Sequence, residues 1–259
     1  MRTCKTEEAV KPAIFAHRGI HRHFPENTMS AFRAAHGLRA DGIELDLQRT
    51  ADGTLVICHD ENMQRLAGVD ADLKDLTWRQ LSELNAAYSF PGAPEEHFPS
   101  LEEFLSWFAW ESLTVNIEIK NSISPYPLIE SELLYAIDQY RLRDRVIVSS
   151  FNLDSVVEMK RLAPDLECAF LFKSRPFRAL KAARENGLDA LHPHFLNLYV
   201  PGFVSLCRYL NISVRFWTVN VPRVMRHAIR KKGVDALITD DLALALSLRE
   251  EMRSKTRKA

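Results

Sequence analysis

Two histidines and two carboxylates in the first sixty residues have the chemistry to cleave a phosphate ester. His17 and His59 each follow a short apolar run, and Glu44 and Asp46 lie in the middle of another. Histidine titrates near neutral pH, so a pair of histidines can act as general base and general acid. Carboxylates bind divalent cations that stabilise charge on phosphate. We therefore expect metal-assisted hydrolysis of a phosphate ester.

The spacing of the two carboxylates says how they are held. Side chains alternate faces along a strand, so Glu44 and Asp46 point one way while Ile43, Leu45 and Leu47 point the other. In an isolated strand the acids would simply face water. In a parallel sheet the apolar face packs on helices. If that sheet closes into a barrel, the acids face the lumen, where repulsion and lost hydration favour a cation between them.

The rest of the chain predicts such a barrel. Apolar runs alternate with amphipathic stretches of helix length, as expected for a parallel α/β sheet. These runs lie near residues 14 and 43 and at 113–119, 146–149, 167–172, 188–191, 212–219 and 234–238. Eight such units in 259 residues fit a (β/α)8 TIM-like barrel. A doubly wound open sheet is the alternative, but no Gly-x-Gly-x-x-Gly follows the first run.

One segment interrupts the alternation. We predict a hairpin between the strand near residue 43 and a strand at 54–58, which returns His59 to the rim that carries Glu44 and Asp46. Residues 61–99 then show weak periodicity and a Pro/Gly-rich patch at 91–94. We expect a single domain spanning residues 1–259, with 61–99 as an inserted segment after the second strand that could cap the site.

Further polar residues end the predicted strands, where barrel enzymes carry their catalytic groups. Glu118 and Lys120 are two apart and so share a face. Three carboxylates without a thiolate suit a hard cation, Mg²⁺ or Ca²⁺, held by Glu44, Asp46 and Glu118. The Arg18 guanidinium matches phosphate oxygens, and Lys120 offers a point charge.

Other strand-end residues have weaker assignments. Trp217 is a candidate for substrate binding, although a tryptophan there is more often part of the core. His192 and His194 are predicted to lie at the rim without an assigned role. Asp240 and Asp241 are interpreted as the N-cap of the last helix.

Composition narrows the class of protein. The 34 basic and 34 acidic residues balance, which argues against nucleic acid or an anionic membrane surface as partner. The chain has neither an apolar run approaching the ~20 residues of a membrane span nor a recognisable secretory signal. The widely spaced cysteines indicate buried thiols in a reducing compartment, so we predict a cytoplasmic protein. These are Cys4, Cys58, Cys168 and Cys207. Nothing in the sequence indicates an oligomeric state.

Several motifs, in order along nearly the whole chain, resemble the glycerophosphodiester phosphodiesterases. They are His17-Arg18-Gly19, Pro25-Glu26-Asn27-Thr28, Glu44-Leu45-Asp46, His59-Asp60, the stretch Phe98 to Glu103, Glu118-Ile119-Lys120 and the stretch Gly233 to Asp241. The resemblance implies a TIM-like barrel with an insertion after the second strand. It implies hydrolysis of glycerophosphodiesters to sn-glycerol 3-phosphate and an alcohol, by direct water attack or through a cyclic phosphate formed by the substrate's own 2-hydroxyl.

The resemblance also assigns roles to residues. Glu44, Asp46 and Glu118 would bind the metal, His17 and His59 would form the acid–base pair, and Arg18 and Lys120 would hold phosphate. Two stretches depart from the family pattern. The loop at 20–24 is rich in histidine and arginine, and Asn85-Ala86-Ala87-Tyr88 stands where the family usually has a glycine.

Two other functions fit the same residues. A lysophospholipase D on this scaffold needs an apolar groove, which Tyr88, Phe90 and Phe98 could supply unless they form the insertion's own core. The lack of a membrane-facing segment favours the water-soluble substrate. A non-catalytic phosphodiester-binding protein is the second alternative, although each expected catalytic position is filled.

Overall fold

The computed structural model describes residues 12–257, which contain nine strands and ten α-helices. The strands are β1 (Ala13–His17), β2 (Gly42–Arg49), β3 (Leu55–Ile57), β4 (Thr114–Ile119), β5 (Val146–Ser150), β6 (Glu167–Phe172), β7 (Ala190–Pro193), β8 (Ser213–Phe216) and β9 (Ala236–Thr239). The helices are α1 (Met29–Gly37), α2 (Gln64–Ala67), α3 (Trp78–Ser82), α4 (Leu101–Phe108), α5 (Ile129–Gln139), α6 (Leu153–Leu162), α7 (Pro176–Glu185), α8 (Phe203–Tyr209), α9 (Pro222–Arg230) and α10 (Leu242–Arg257).

Eight parallel strands close into a barrel. The hydrogen-bonded order is β1-β9-β8-β7-β6-β5-β4-β2, and β1 also pairs with β2 to complete the ring. The short strand β3 lies antiparallel to β2 outside this ring. The predicted TIM barrel and the predicted hairpin are therefore confirmed, and the open-sheet alternative is wrong.

The two faces of the strands are packed differently. Below the rim, small and apolar side chains fill the lumen, among them Phe15, Ile147, Ala169 and Ile238. Gly42 makes room for Phe15, because a Cβ at this position would lie 2.7 Å from the phenyl ring. The opposite faces pack on the surrounding helices.

The segment between β3 and α4 forms a small cluster of its own. It contains α2 and α3, and its buried side chains include Met63, Leu66, Leu81 and Phe98. The segment ends at α4, whose first turn is capped by the Ser100 hydroxyl, which accepts the Glu103 N–H at 3.0 Å. That the segment caps the site stays a prediction here.

Strand β7 begins two residues later than the apolar run at 188–191 predicts. Leu188 is not in the strand, because its N–H donates to the carbonyl of Ala183 at 2.9 Å and so belongs to the end of α7. The strand runs from Ala190 to Pro193 instead. His192 therefore lies inside β7.

No helix within residues 12–257 combines the length and the apolar character needed to cross a bilayer. Cys58, Cys168 and Cys207 are buried free thiols, as predicted. Cys4 and the N-terminal stretch, where the sequence shows no recognisable secretory signal, lie outside the described residues.

Candidate active site at the carboxyl ends of the strands

The register of three neighbouring strands brings the predicted carboxylates together. His17 of β1 lies beside Glu44 of β2, and Asp46 of β2 lies beside Glu118 of β4. All three carboxylates are buried. Each offers an oxygen atom, and these oxygens all lie within 4.8 Å of one another.

The electrostatics of this acid cluster fit a bound cation. Burial, and then the charges of Asp46 and Glu118, raise the pKa of Glu44 well above its usual value. Burial likewise raises the pKa of Glu118. Burial also opposes ionisation of Asp46, but the charges of Arg18 and Lys120 outweigh it and lower the pKa of Asp46 to about 2. A divalent cation would offset the repulsion, and a set of oxygen donors suits a hard ion.

The two predicted phosphate-binding cations border the acids. Arg18 Nε lies 3.2 Å from Asp46 Oδ2, and Arg18 Nη1 donates to Glu26 Oε1 at 2.9 Å. Lys120 Nζ lies 3.3 Å from Glu118 Oε1 and 3.7 Å from Asp46 Oδ1. Both cations are therefore within reach of a group bound at the acid cluster.

The backbone after β1 adopts a tight turn that only certain residues allow. Gly19 has a φ of 77°, and a Cβ there would lie 2.7 Å from Ala31 of α1. Asn27, with a φ of 57°, donates its backbone N–H to the Arg18 carbonyl at 3.0 Å and its side-chain amide to Asp46 Oδ2 at 2.9 Å. Asparagine tolerates this left-handed conformation better than most residues. The turn thus holds Arg18 and Asp46 in one hydrogen-bonded unit.

His17 is oriented by a carboxylate from the far end of the chain. Its Nδ1 lies 2.6 Å from Asp240 Oδ1, and Asn220 donates to Asp240 Oδ2 at 2.5 Å. Its Nε2 lies 3.9 Å from Glu44 Oε2, on the side of the acid cluster. His21 from the histidine-rich loop brings its Nε2 to 3.0 Å from the same oxygen of Asp240, but without the geometry of a hydrogen bond.

His59 is held in a similar way by its neighbour in sequence. Its Nδ1 lies 2.6 Å from Asp60 Oδ1. The buried amide of Gln48 donates to the carbonyls of Cys58 and Asp60, each at 2.9 Å, and fixes the turn that carries the ring. Tyr126 donates its hydroxyl to Gln48 Oε1 at 3.0 Å. Both histidines thus bind a carboxylate through Nδ1, which leaves Nε2 for chemistry.

Two strand-end predictions need correction. Asp240 does not cap the last helix, because its carboxylate binds His17 and Asn220; Asp241 does so by accepting the Leu244 N–H at 3.2 Å. His192 is not a rim residue. It lies within β7 and is fully buried, whereas His194 lies at the rim.

Trp217 lies at the rim beside the predicted site. Its indole N–H donates to the carbonyl of His192 at 2.7 Å, and its ring packs edge-on against Phe151 and His194. It is therefore anchored in place while its side chain remains partly exposed.

Comparison with known proteins gives the family of the chain. A model of the glycerophosphoryl diester phosphodiesterase family matches residues 17–244. The chain belongs to this family. As a member it is a hydrolase of glycerophosphodiesters, so the predicted family and enzyme class are confirmed.

Curated relatives of the family align over almost their whole length. A glycerophosphodiester phosphodiesterase of Caldanaerobacter subterraneus is 38% identical over 92% of this chain and 98% of its own. One from Bacillus altitudinis is 38% identical over 93% and 99%. The fold is shared with a solved Oleispira antarctica phosphodiesterase in complex with the product sn-glycerol-3-phosphate, at a TM-score of 0.80 and 23% identity over 93% of this chain and 97% of that one.

The comparisons lend no support to the two alternative functions. For the lysophospholipase D, the structure also removes part of the expected groove, since Phe98 is buried in the cluster of the inserted segment. Tyr88 is exposed, and Phe90 lines a cavity of about 350 Å³ together with Phe24 and Pro91.

Proposed function

We propose that this family member cleaves glycerophosphodiesters with His17 and His59 as its acid–base pair and with a divalent cation held by Glu44, Asp46 and Glu118. One observation carries the proposal. Two histidines are each bound to a carboxylate through Nδ1 at 2.6 Å, next to three buried acids whose oxygens are within 4.8 Å of one another. His17 Nε2 lies 3.9 Å from Glu44, and His59 follows Cys58, whose N–H donates to the carbonyl of Asp46 at 2.9 Å.

The two histidines divide the proton transfers. One takes the proton from the attacking hydroxyl as the new P–O bond forms, and the other gives a proton to the departing alkoxide as the old P–O bond breaks. Asp240 and Asp60 each hold Nδ1 of their ring, so that the proton is transferred at Nε2. A bound divalent cation would stabilise the charge that builds up on phosphate. The attacking hydroxyl comes from water or from the substrate's glycerol, and detection of a cyclic phosphate product distinguishes these routes.

Three further side chains are assigned to the substrate. Arg18 and Lys120, at the border of the acid cluster, would bind the phosphate oxygens. Trp217, anchored through its indole N–H, would contact the apolar part of the glycerol. The inserted segment at 61–99 would cap the site, an interpretation supported by the hydrogen bonds of its Arg65 to Glu26 and Asp60.

The cation is proposed to be Mg²⁺ or Ca²⁺, because the donors are all carboxylate oxygens. We place the reaction in the cytoplasm, where the buried free thiols would stay reduced. There it would return sn-glycerol 3-phosphate from deacylated phospholipids to lipid and glycerol metabolism.

Product analysis with a substrate panel tests this function. Purified enzyme is assayed with glycerophosphocholine, glycerophosphoethanolamine and lysophosphatidylcholine, each with Mg²⁺ or Ca²⁺ and with a chelator. We expect sn-glycerol 3-phosphate from the first two, little turnover of the lysolipid, and no turnover under chelation. Turnover that survives chelation would contradict the metal assignment, and preferred release of lysophosphatidic acid would contradict the substrate class.

A further inference from the structure

Arg65, in helix α2 of the inserted segment, bridges two carboxylates that come from different parts of the chain. Its Nη1 and Nη2 donate to the two oxygens of Glu26 at 2.8 and 2.9 Å. Its Nε and Nη2 donate to the two oxygens of Asp60 at 2.6 and 2.8 Å. One guanidinium therefore makes paired hydrogen bonds on both sides, which is the strongest arrangement arginine offers.

Each of these carboxylates also forms a hydrogen bond with a residue of the proposed active site. Glu26 Oε1 also accepts from Arg18 Nη1 at 2.9 Å. Asp60 Oδ1 also binds Nδ1 of His59 at 2.6 Å. The side chains of Glu26 and Asp60 are only 15% and 20% exposed and that of Arg65 is 48% exposed, so the links are shielded from water and salt on the carboxylate side. Arg65 thereby joins the phosphate-binding arginine to the histidine on the hairpin.

We propose that Arg65 is a positioning residue of the reaction, one that fixes the His59 ring and the Arg18 guanidinium relative to each other. The inference rests on the roles proposed above for His59 and Arg18, and it extends them to a residue that touches neither substrate nor cation. It also gives the inserted segment a function, because its helix α2 carries the bridge.

The geometry of the bridge predicts that a positive charge alone cannot replace Arg65. Four donor contacts in one plane need the fork of a guanidinium, and the single ammonium of lysine cannot reproduce them. Arg65→Lys keeps the positive charge and should still lower kcat. Arg65→Gln loses both charge and fork.

A matched arginine elsewhere separates positioning from stability. Arg143 bridges Asp138 and Asp165 with contacts of 2.5 to 2.7 Å. It lies in the loop between α5 and β5, at the amino ends of the strands, so it is at the opposite end of the barrel from the active site. Arg143→Gln removes a comparable bridge and serves as the control.

The experiment measures kcat, KM and Tm for these variants and for Asp60→Asn and the double variant Arg65→Gln/Asp60→Asn. We expect Arg65→Gln and Arg65→Lys to lower kcat by at least about tenfold. Their Tm values should shift no more than that of Arg143→Gln. Arg143→Gln itself should keep the wild-type kcat. In the double variant the two losses of kcat should not multiply, because both single changes break the same link between Arg65 and Asp60. Wild-type kcat in Arg65→Lys, or losses that multiply in the double variant, would overturn the inference.

His59→Gln shows which proposal has failed. If His59→Gln is nearly inactive while Arg65→Gln keeps wild-type kcat, only the inference about Arg65 is wrong. If His59→Gln is itself fully active, the proposed acid–base assignment is wrong, and the inference falls with it.

Discussion

His17 Nδ1 and Asp240 Oδ1 lie 2.6 Å apart although 223 positions separate the two residues in sequence. The contact exists because the barrel closes by pairing β1 with β9, which brings the first and last strand ends together. It determines which nitrogen of His17 faces the acid cluster. Asp240 therefore belongs to the proposed catalytic machinery as a positioning residue.

Asp240→Asn should lower kcat by about 10²-fold or more, because an amide can hold His17 in the wrong tautomer and does not stabilise its imidazolium. KM should change little. Asp241→Asn is the control, since the neighbouring carboxylate caps α10 and pairs with Arg22 without binding His17. Equal kcat values for the two variants would contradict the role of Asp240.

The two histidines should be individually indispensable. His17→Gln and His59→Gln should each lower kcat by ~10²–10⁴-fold, the range that general acid–base catalysis contributes. His97→Gln, which removes an exposed histidine that also binds a carboxylate, should leave kcat unchanged. Circular dichroism checks that the variants fold. An active His17 or His59 variant would remove that residue from the mechanism.

Lys120 should act mainly on substrate binding. Lys120→Met should raise KM for glycerophosphocholine by about tenfold, the loss expected for one charge-assisted contact worth ~1.4 kcal/mol. Lys181→Met, on the exposed surface of α7, provides a control of the same chemistry. Steady-state kinetics at saturating metal separates this effect from a change in metal affinity. An unchanged KM would show that Lys120 does not contact phosphate.

His192 should make stability depend on pH. Burial, and then the charge of Arg215, lower the pKa of His192 well below its usual value. The unfolded chain therefore takes up a proton near pH ~6.5 that the folded chain does not, so stability is fully present above that pH and falls below it by up to about 1.4 kcal/mol per pH unit. Denaturant unfolding between about pH 7.5 and about pH 5 measures the slope.

The slope attributable to His192 is isolated by comparison. His192→Gln should show a shallower decline than the wild type, and His97→Gln should match the wild type, because His97 is largely exposed. Parallel slopes in all three proteins would mean that His192 has the same pKa in the folded and the unfolded chain.

Much of the fold and the acid cluster follows from local sequence patterns. Residues two apart in a strand must share a face, so alternation alone places Glu44 with Asp46 and Glu118 with Lys120. Gln48 continues the same alternation and could have been found in this way. Its partners could not, since they depend on how the hairpin folds back.

Other parts of the site depend on contacts that no local pattern records. Asp240 resembles a helix cap in sequence, and only the closure of the barrel places it beside His17. Arg65 lies in a segment of weak periodicity, where the docking of α2 against the β1–α1 loop decides its partners. The rim position predicted for His192 is wrong because β7 pairs with β6 as far as Pro193, so the strand ends two residues later than the apolar run predicts.

The proposed mechanism depends most on one ion shared by three carboxylates. Crystals grown with Mn²⁺, a spectroscopically visible substitute for Mg²⁺, allow the metal to be located by anomalous diffraction. We expect a single strong peak bounded by the carboxylates of Glu44, Asp46 and Glu118, and its loss in Glu118→Gln. An ion bound elsewhere, or no ion at saturating Mn²⁺, would contradict the proposed mechanism.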